Sequence, residues 1–569
     1  MQTTKMDEMV NTLQKHKHEW AALPIKEKIG YLQQLQKNID ENAAHWAGEA
    51  VKAKGIVENT AGVGEEWMSG PWAVLSYLTN LMKTLAALEK GQKRELPSVR
   101  PRADGQVVAT VFPLTIFDRL LLNGVTAEVW MQSGVTRENL TDTMAVFYKQ
   151  KSPHGKVTLI LGAGNISSIP PLDVLYKMFA EGQVCILKMN PVNEYLGPIF
   201  EKIFEPFIQA GFLHIVYGGA EVGAYLTSHE GIEEIHVTGS HLTHDAIVYG
   251  PGGEGQKRKE TKKPLLTKPI TSELGGCSPT IVVPGPWTDA DIRYHAEHIA
   301  TQKYHNAGFN CIASQVLVLP EEWQQSAKLL DAVSKIFAEI PRRKAYYPRA
   351  KVRQQSVVAA HPNAQILDAP EKDVPRTLVT GLDAYAKDEV CFKEEFFGGV
   401  LAQTGLPGSD ASEFLENAIK FCNEKLSGTL GANIIIHPKT IKELGSRFEG
   451  FIAELNYGGI GVNAWTGVNY LLSSCTWGAF PGHTPEDIQS GIGVVHNAFL
   501  FDKPQKSVVY ANFHPFPRAL VHGHFHLSPK PPWFVTHKRA HTVGRRLARF
   551  EVNPGFRHIP GIFVDALRG

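Results

Sequence analysis

Several residues that could bind or react stand at the ends of short apolar runs in this chain. The turn Gly162-Ala163-Gly164-Asn165 follows the run 157–161 and is typical of a loop that approaches a phosphate, although Ser167 replaces the third glycine of a dinucleotide fingerprint. A tight strand-to-helix turn without a ligand accounts for the same glycines equally well. Both interpretations stay open on this motif alone.

Other polar and reactive segments follow along the chain. In order they are Lys188, residues 237–240 (Val-Thr-Gly-Ser), residues 273–276 (Glu-Leu-Gly-Gly), residues 306–311 (Asn-Ala-Gly-Phe-Asn-Cys) and residues 394–398 (Glu-Glu-Phe-Phe-Gly). A cysteine thiolate is a strong nucleophile toward a carbonyl carbon, provided that local donors or positive charge lower the pKa of the thiol. Each segment is unremarkable alone, so the information lies in the ordered set.

The elements that must position these groups alternate between helix and strand. The first ninety or so residues have apolar residues at helical steps, whereas the β-branched runs 157–161 and 184–188 predict buried strands with a helix, 172–181, between them. A second α/β alternation occupies roughly 280–450. Strands separated by helices predict a parallel sheet with right-handed connections, so the fold class is α/β.

Composition excludes several classes of protein and partner. Lys and Arg total 58 and Asp and Glu total 57, so no global field would hold the chain on nucleic acid or on an anionic membrane. Hydrophobic residues at 43% and charged residues at 20% are typical of globular proteins. The six cysteines form no C-x-x-C pair, which favours a reducing compartment, and we find no signal peptide or membrane anchor. We therefore expect a cytoplasmic protein that binds neither nucleic acid nor membrane.

The ordered segments resemble those of the aldehyde dehydrogenase superfamily, over most of the chain to about residue 500. The resemblance implies a Rossmann-type cofactor domain, an α/β catalytic domain and a small β oligomerisation element, in a homodimer or homotetramer. The implied divisions are 1–126 (N-terminal helices and the first part of the cofactor domain), 127–156 (oligomerisation segment), 157–272 (cofactor domain), 273–480 (catalytic domain) and 481–569 (return to the cofactor domain and C-terminal oligomerisation tail).

The same resemblance implies NAD(P)-dependent oxidation of an aldehyde to a carboxylic acid. Cys311 matches the family nucleophile, which forms a thiohemiacetal, and the Asn165 amide with the Cys311 backbone N–H would hold its oxyanion. Hydride loss to a nicotinamide leaves a thioester on Cys311. Glu273 matches the glutamate that activates water to hydrolyse this thioester.

Other matches concern the cofactor. Lys188 matches the lysine at the adenosine ribose, the segment 237–240 would contact the pyrophosphate, and residues 394–398 match the segment at the nicotinamide ribose and ring. The implied cofactor-binding residues are Gly164, Lys188, Gly239, Ser240, Glu395 and Phe397. Pro191 stands where many members have a glutamate that favours the unphosphorylated ribose, so both NAD and NADP stay open.

Departures from the family pattern keep two alternatives open. The Asn190-Pro191 pair resembles branches that transfer the acyl group to coenzyme A, or run the reverse reduction, although those branches generally lack the glutamate at Glu273. Phe309 replaces a glutamine, and Val174 stands where many members have lysine. These changes motivate a second alternative, a catalytically silent binding or assembly member.

Two segments lie outside the family pattern. Residues 250–268 are rich in Gly, Lys and Arg and predict an exposed loop, whose charges are either a solvated face or a phosphate contact for NADP or coenzyme A. In the tail, His522, His524 and His526 recur at every second residue and would share one face of a strand. We expect these histidines to pack at a contact between subunits rather than to bind a metal ion. We therefore predict no metal site. Trp465 and Trp477 are candidates for either the core or the substrate tunnel.

Overall fold

Helices fill the first ninety residues, as the sequence predicts. The computed structural model describes residues 2–369, 371–523 and 525–569, and its first helices are α1 (Gln2–Ala22), α2 (Ile25–Ala53), α3 (Ala61–Trp67) and α4 (Ala73–Glu89). In α2 the side chains of Leu32, Leu35 and Ile39 are buried, because three- and four-residue steps place them on one face. A π-type turn, Met68–Trp72, joins α3 to α4.

Strands begin at residue 98 and continue to residue 510. In the described residues they are β1 (Ser98–Pro101), β2 (Val107–Phe112), β3 (Thr126–Met131), β4 (Val157–Leu161), β5 (Val184–Lys188), β6 (Leu213–Val216), β7 (Glu234–Gly239), β8 (Ile270–Leu274), β9 (Pro279–Val282), β10 (Val316–Pro320), β11 (Gln365–Asp368), β12 (Arg376–Leu382), β13 (Val400–Leu406), β14 (Gly431–Ile435), β15 (Gly459–Val462), β16 (Trp477–Gly478), β17 (Gly491–Ile492), β18 (Val494–Val495) and β19 (Pro504–Tyr510). The predicted strands 157–161 and 184–188 are confirmed as β4 and β5.

Most connections between strands contain helices. They are α5 (Ile116–Leu121), α6 (Ile169–Ala180), α7 (Gly197–Ile203), α8 (Glu205–Gln209), α9 (Ala220–Ser228), α10 (His241–Tyr249), α11 (Gly252–Glu260), α12 (Asp289–Tyr304), α13 (Ser326–Glu339), α14 (Ala350–Ala360), α15 (Val390–Lys393), α16 (Ala411–Lys425), α17 (Pro438–Leu444), α18 (Ser446–Glu454), α19 (Gly467–Leu471), α20 (Arg518–Val521), α21 (Ala540–Val552) and α22 (Ile559–Leu567). Helices on a largely parallel sheet are the α/β architecture that the sequence predicts.

One sheet has six strands in the order β17-β8-β7-β4-β5-β6. All neighbours from β8 to β6 are parallel, and only β17 pairs in the antiparallel sense. The strand order reverses between β4 and β7, so the chain leaves β4 toward one side and later returns to the other. Such a switch point opens a crevice at the carboxyl ends of the strands, which is where open α/β sheets bind ligands.

A larger sheet of eleven strands has the order β1-β2-β3-β19-β15-β14-β9-β10-β13-β12-β11. The strands β9, β10 and β12 to β15 form the α/β part, and β19 joins it parallel to β15 and antiparallel to β3. A small antiparallel pair, β16 and β18, completes the strands. The segments predicted to mediate oligomerisation thus supply strands to the chain's own sheet, and their role in self-association stays a prediction.

The tail and the basic segment have structures that the sequence does not predict. The helix α21 packs on α3 and on the turn 68–72, so the tail covers the N-terminal helices. The predicted loop 250–268 is partly wrong, because its first half forms α11, where Arg258 pairs with Glu254 one turn earlier. His524 lies outside the described residues. No helix in the described ranges is long and apolar enough to cross a membrane.

Candidate active site

The segment that carries Cys311 has a strained backbone. It follows α12 through a short 3-10 turn, in which Asn306 and Ala307 have φ values of 52° and 58°. Gly308 also has a positive φ, and a Cβ atom there would lie 2.3 Å from the carbonyl oxygen of Gly398. Left-handed non-glycine residues concentrate at functional sites because the surrounding structure must hold them. Cys311 itself is partly exposed, whereas the other five cysteines are buried.

Glu273 brings a carboxyl group into the same site from β8. The side chain is buried, and neither carboxylate oxygen has a hydrogen-bond partner of good geometry among the described residues. Burial, and then the nearby Asp173, raise the pKa of Glu273 to about 7, although Cys311 and Trp477 lie close enough to offset part of the rise. A carboxyl group with this pKa can exchange a proton near neutral pH, as a general base must.

The thiol of Cys311 faces a small chamber of about 40 Å³ that Trp465 and Trp477 also line. Burial raises the pKa of the Cys311 thiol well above its usual value, and the carboxyl groups of Glu273 and Glu395 raise it further. A raised pKa favours the protonated thiol, and Glu273 lies close enough to Cys311 to accept its proton.

Asn165 is fixed against the cysteine segment by hydrogen bonds at both ends of the residue. Its side-chain Nδ2 donates to the carbonyl oxygen of Phe309 at 2.9 Å. Its backbone oxygen accepts from Lys54 Nζ at 3.0 Å, from Asn306 Nδ2 at 3.2 Å and from the Tyr346 hydroxyl at 3.1 Å. Since one N–H of the Asn165 amide is used in the bond to Phe309, the second remains available for an oxyanion.

Buried ion pairs hold Asn165 and the turn that precedes Cys311 in place. Lys54 Nζ lies 2.7 Å from Glu66 Oε1 and also donates to Asn306 Oδ1 at 3.1 Å. Glu65 pairs with Arg343 at 2.6 Å and accepts from the backbone N–H of Asn306 at 3.1 Å. Paired charges are the form in which ions are tolerated in a protein interior. Together they hold the turn that precedes Cys311.

Four of the predicted cofactor residues lie at the carboxyl end of the six-stranded sheet. Gly164 follows β4, Lys188 ends β5, Gly239 ends β7, and the Ser240 hydroxyl accepts from the backbone N–H of Thr243 to begin α10. Close packing explains Gly164, because a Cβ atom there would lie 2.7 Å from Asn190 Oδ1. Gly239 has no such neighbour, and its open backbone before a helix suits an anionic group.

Glu395 and Phe397 reach the site from the segment between α15 and β13. Glu395 lies so close to Gly275 that a Cβ atom there would meet its Oε1 at 2.1 Å, and this oxygen has no hydrogen-bond partner among the described residues. Burial raises the pKa of Glu395 to about 8. The Phe397 ring packs against Phe309, with 5.7 Å between the ring centroids. An unpartnered carboxylate oxygen at this edge is suited to a ribose hydroxyl.

Comparison with known proteins connects this geometry to a family. The family model described as "Aldehyde dehydrogenase family" matches residues 122–358, a range that includes Asn165, Glu273 and Cys311. Over this range the chain is similar to the aldehyde dehydrogenase family. Aldehyde dehydrogenase family 3 member A2 of Rattus norvegicus is 25% identical over 376 residues, which cover 64% of this chain and 69% of the relative.

Solved aldehyde dehydrogenases share the fold. A mutant of aldehyde dehydrogenase C from Pseudomonas syringae, in complex with NAD+ and octanal, is 16% identical with a TM-score of 0.57, covering 90% of each chain. An NADP-dependent glyceraldehyde-3-phosphate dehydrogenase from Bacillus halodurans, complexed with NADP, is also 16% identical with a TM-score of 0.57, covering 89% of this chain and 91% of its own. These similarities confirm the predicted fold class.

The structure groups the predicted catalytic residues Cys311, Glu273 and Asn165, with Glu395 beside them. The sequence analysis missed the supporting residues, which are Lys54, Glu65, Glu66, Asp173, Arg343 and Tyr346. The sequence does contain one indication of these supporting residues. The pair Glu65 and Glu66 stands in an otherwise apolar helical stretch, where unpaired charges are rare. The departures Phe309 and Val174 are both buried, so they act as core residues here.

Proposed function

We propose that this protein oxidises an aldehyde to a carboxylic acid with NAD or NADP, through a thioester on Cys311. The observation that carries the proposal is that Cys311, which is partly exposed and lines a small chamber, lies beside the buried carboxyl group of Glu273. A nucleophile beside a base of matched pKa is the arrangement that covalent catalysis needs.

The chain's own residues account for the chemical steps. The Cys311 thiol gives its proton to Glu273, and its sulfur bonds to the aldehyde carbon while the carbonyl π electrons move to oxygen. The Asn165 N–H and the Cys311 backbone N–H hold that oxyanion. Bound NAD or NADP, held by the residues named below, would supply the hydride acceptor for this carbon and positive charge near the thiol. Glu273 first releases the proton from Cys311 to solvent. It then removes a proton from water, whose oxygen attacks the thioester carbon, and it passes this proton to the departing Cys311 sulfur, so that the carboxylic acid and the thiol are released.

The residues at the edge of the six-stranded sheet fit a dinucleotide. Gly239 offers open backbone before α10, Lys188 supplies a cation at a neighbouring strand end, and Glu395 supplies an unpartnered oxygen. We assign these residues, with Gly164, Ser240 and Phe397, to NAD or NADP, as the family resemblance implies. We also propose that the protein is a cytoplasmic homodimer or homotetramer. The division of the chain into five segments, 1–126, 127–156, 157–272, 273–480 and 481–569, is part of the same proposal.

The test is turnover of an aldehyde by three variants. Cys311→Ala is expected to abolish turnover while cofactor binding, followed by fluorescence titration, is retained. Glu273→Gln is expected to accumulate an acyl-enzyme that intact mass spectrometry detects. Cys422→Ala, which alters a buried cysteine in a separate core, is the control and should keep turnover. Full activity in Cys311→Ala would refute the mechanism.

Transfer of the acyl group to coenzyme A is a second candidate. It is favoured by the exposed cations of the basic segment, Lys257, Lys262 and Lys263, and by the Asn190-Pro191 pair, which resembles branches that transfer the acyl group to coenzyme A. Rates measured with and without coenzyme A distinguish transfer from hydrolysis. Neutralising the three lysines should raise the Michaelis constant for NADP or coenzyme A and not that for NAD. If both constants are unchanged, the segment is a solvated face.

A further inference from the structure

A cavity of about 380 Å³ lies next to the chamber of Cys311. This volume is within the range of pockets that hold small organic ligands. The helix α4, the segment 112–122, the helix α12 and the tail form its wall. The tail contributes large apolar side chains, which include Pro531, Trp533, Phe534, Phe550 and Phe563.

The cavity and the chamber share two lining residues, Met68 and Trp465. Trp465 is buried, its indole Nε1 has no hydrogen-bond partner among the described residues, and its ring lies 4.5 Å from that of His305. Gly467 permits this position, because a Cβ atom there would meet the Trp465 ring at 2.6 Å. Met68 and Trp465 are therefore the side chains that separate Cys311 from the cavity.

The polar groups in the cavity wall are largely occupied. Asp118 accepts from the backbone N–H groups of Leu114 and Thr115 at 2.8 Å, in the capping box that begins α5. Burial raises the pKa of Glu551 to about 7, with Thr79 and Lys83 beside it. The remaining surface is mostly aliphatic and aromatic, so a ligand gains free energy there by burying apolar area.

We propose that this cavity holds the apolar chain of the aldehyde, and that the tail is the part of the protein that selects it. The substrate class is an aliphatic aldehyde of medium to long chain, with its carbonyl group at Cys311 and its chain beyond Trp465. This inference rests on the proposed function. It gives the residues after 500 a role in substrate selection.

The first test is a series of straight-chain aldehydes from propanal to dodecanal, assayed with NAD and with NADP. Each added methylene that becomes buried should raise kcat/KM about fourfold until the cavity is filled. A flat or falling series in an active enzyme overturns the inference but leaves the proposed function intact. Absence of turnover at every length contradicts the proposed function instead, and the binding measurement below then decides the inference.

Two matched variants test whether the cavity wall determines the preference for long-chain aldehydes. Phe563→Lys places a cation in the cavity wall and should lower the ratio of kcat/KM for decanal to that for propanal about tenfold or more. Phe556→Lys makes the same change at an exposed tail position outside that wall and should leave the ratio unchanged. An equal change in both variants, or no change in either, refutes the assignment.

Binding provides a readout that does not require turnover. Trp72, Trp465 and Trp533 line the cavity, so a ligand there should alter intrinsic tryptophan fluorescence. In the Cys311→Ala protein, decanal is expected to bind at least tenfold more tightly than propanal, and Phe563→Lys should weaken decanal alone. Equal affinity for the two aldehydes overturns the inference.

Discussion

The buried carboxyl group of Glu273 should make the protein less stable as the pH rises. Its pKa is about 7 in the folded protein against 4.5 for a free glutamate, so the folded state holds this proton more tightly than the unfolded state. The cost of burying the carboxyl is therefore absent below pH 4.5, grows as the pH rises to 7, and is complete above 7. At 1.36 kcal/mol per pKa unit the full cost is about 3 kcal/mol.

Glu273→Gln removes this cost and tests its size. The amide has the same shape but no charge, so the variant should be more stable than the unaltered protein by about 3 kcal/mol at pH 8 and by less than about 1 kcal/mol at pH 5. The same substitution should stop hydrolysis of the thioester. If Glu273 has the proposed catalytic role, its cost to the fold is an expected trade-off between stability and activity.

The measurement is the midpoint of urea unfolding, followed by tryptophan fluorescence between pH 5 and pH 8.5. Glu395, whose pKa is also raised, contributes to both proteins, so the difference between them isolates Glu273. Glu424→Gln, at an exposed position in α16, is the control and should not change the pH dependence. A stability difference that is the same at pH 5 and pH 8 would refute the reasoning.

Two further predictions concern the supports of the site. Lys54→Met leaves the Glu66 carboxylate buried without its partner and should lower the free energy of unfolding in urea by about 3–5 kcal/mol. The double variant Lys54→Met/Glu66→Gln should recover part of this loss. An equal loss in both proteins would contradict the prediction. Gly467→Ala forces the ring of Trp465 to move and should destabilise the fold by about 1–3 kcal/mol, which would be measured as a lower melting temperature. Gly450→Ala is the control, because the space around Gly450 is open, and it should not lower the melting temperature.

Elements with a local signal could be predicted from the sequence. The strands β4 and β5 end where predicted because continuous β-branched runs are bounded there by glycine or polar residues. Cys311, Glu273 and Asn165 could be proposed because each stands in a short pattern that the family shares. Local patterns of this kind do not depend on what packs against them.

Long-range pairings could not be predicted in this way. Lys54 and Asn306 are 252 residues apart in the sequence, and nothing near either residue indicates the other. The same holds for the tail, whose helix α21 is amphipathic and would fit many surfaces. The cavity beside Cys311 exists because that helix meets the N-terminal helices, so it is a property of the assembled chain.

The position of β19 has a consequence for how the chain is made. This strand leaves the ribosome after the other eighteen described strands, yet it lies inside the eleven-stranded sheet, between β3 and β15. Until residue 510 has been synthesised, both neighbours present backbone groups without a partner, and open strand edges of this kind invite pairing with other chains. A nascent chain that stalls before residue 504 should therefore depend on chaperones, because its two half-sheets cannot yet be joined.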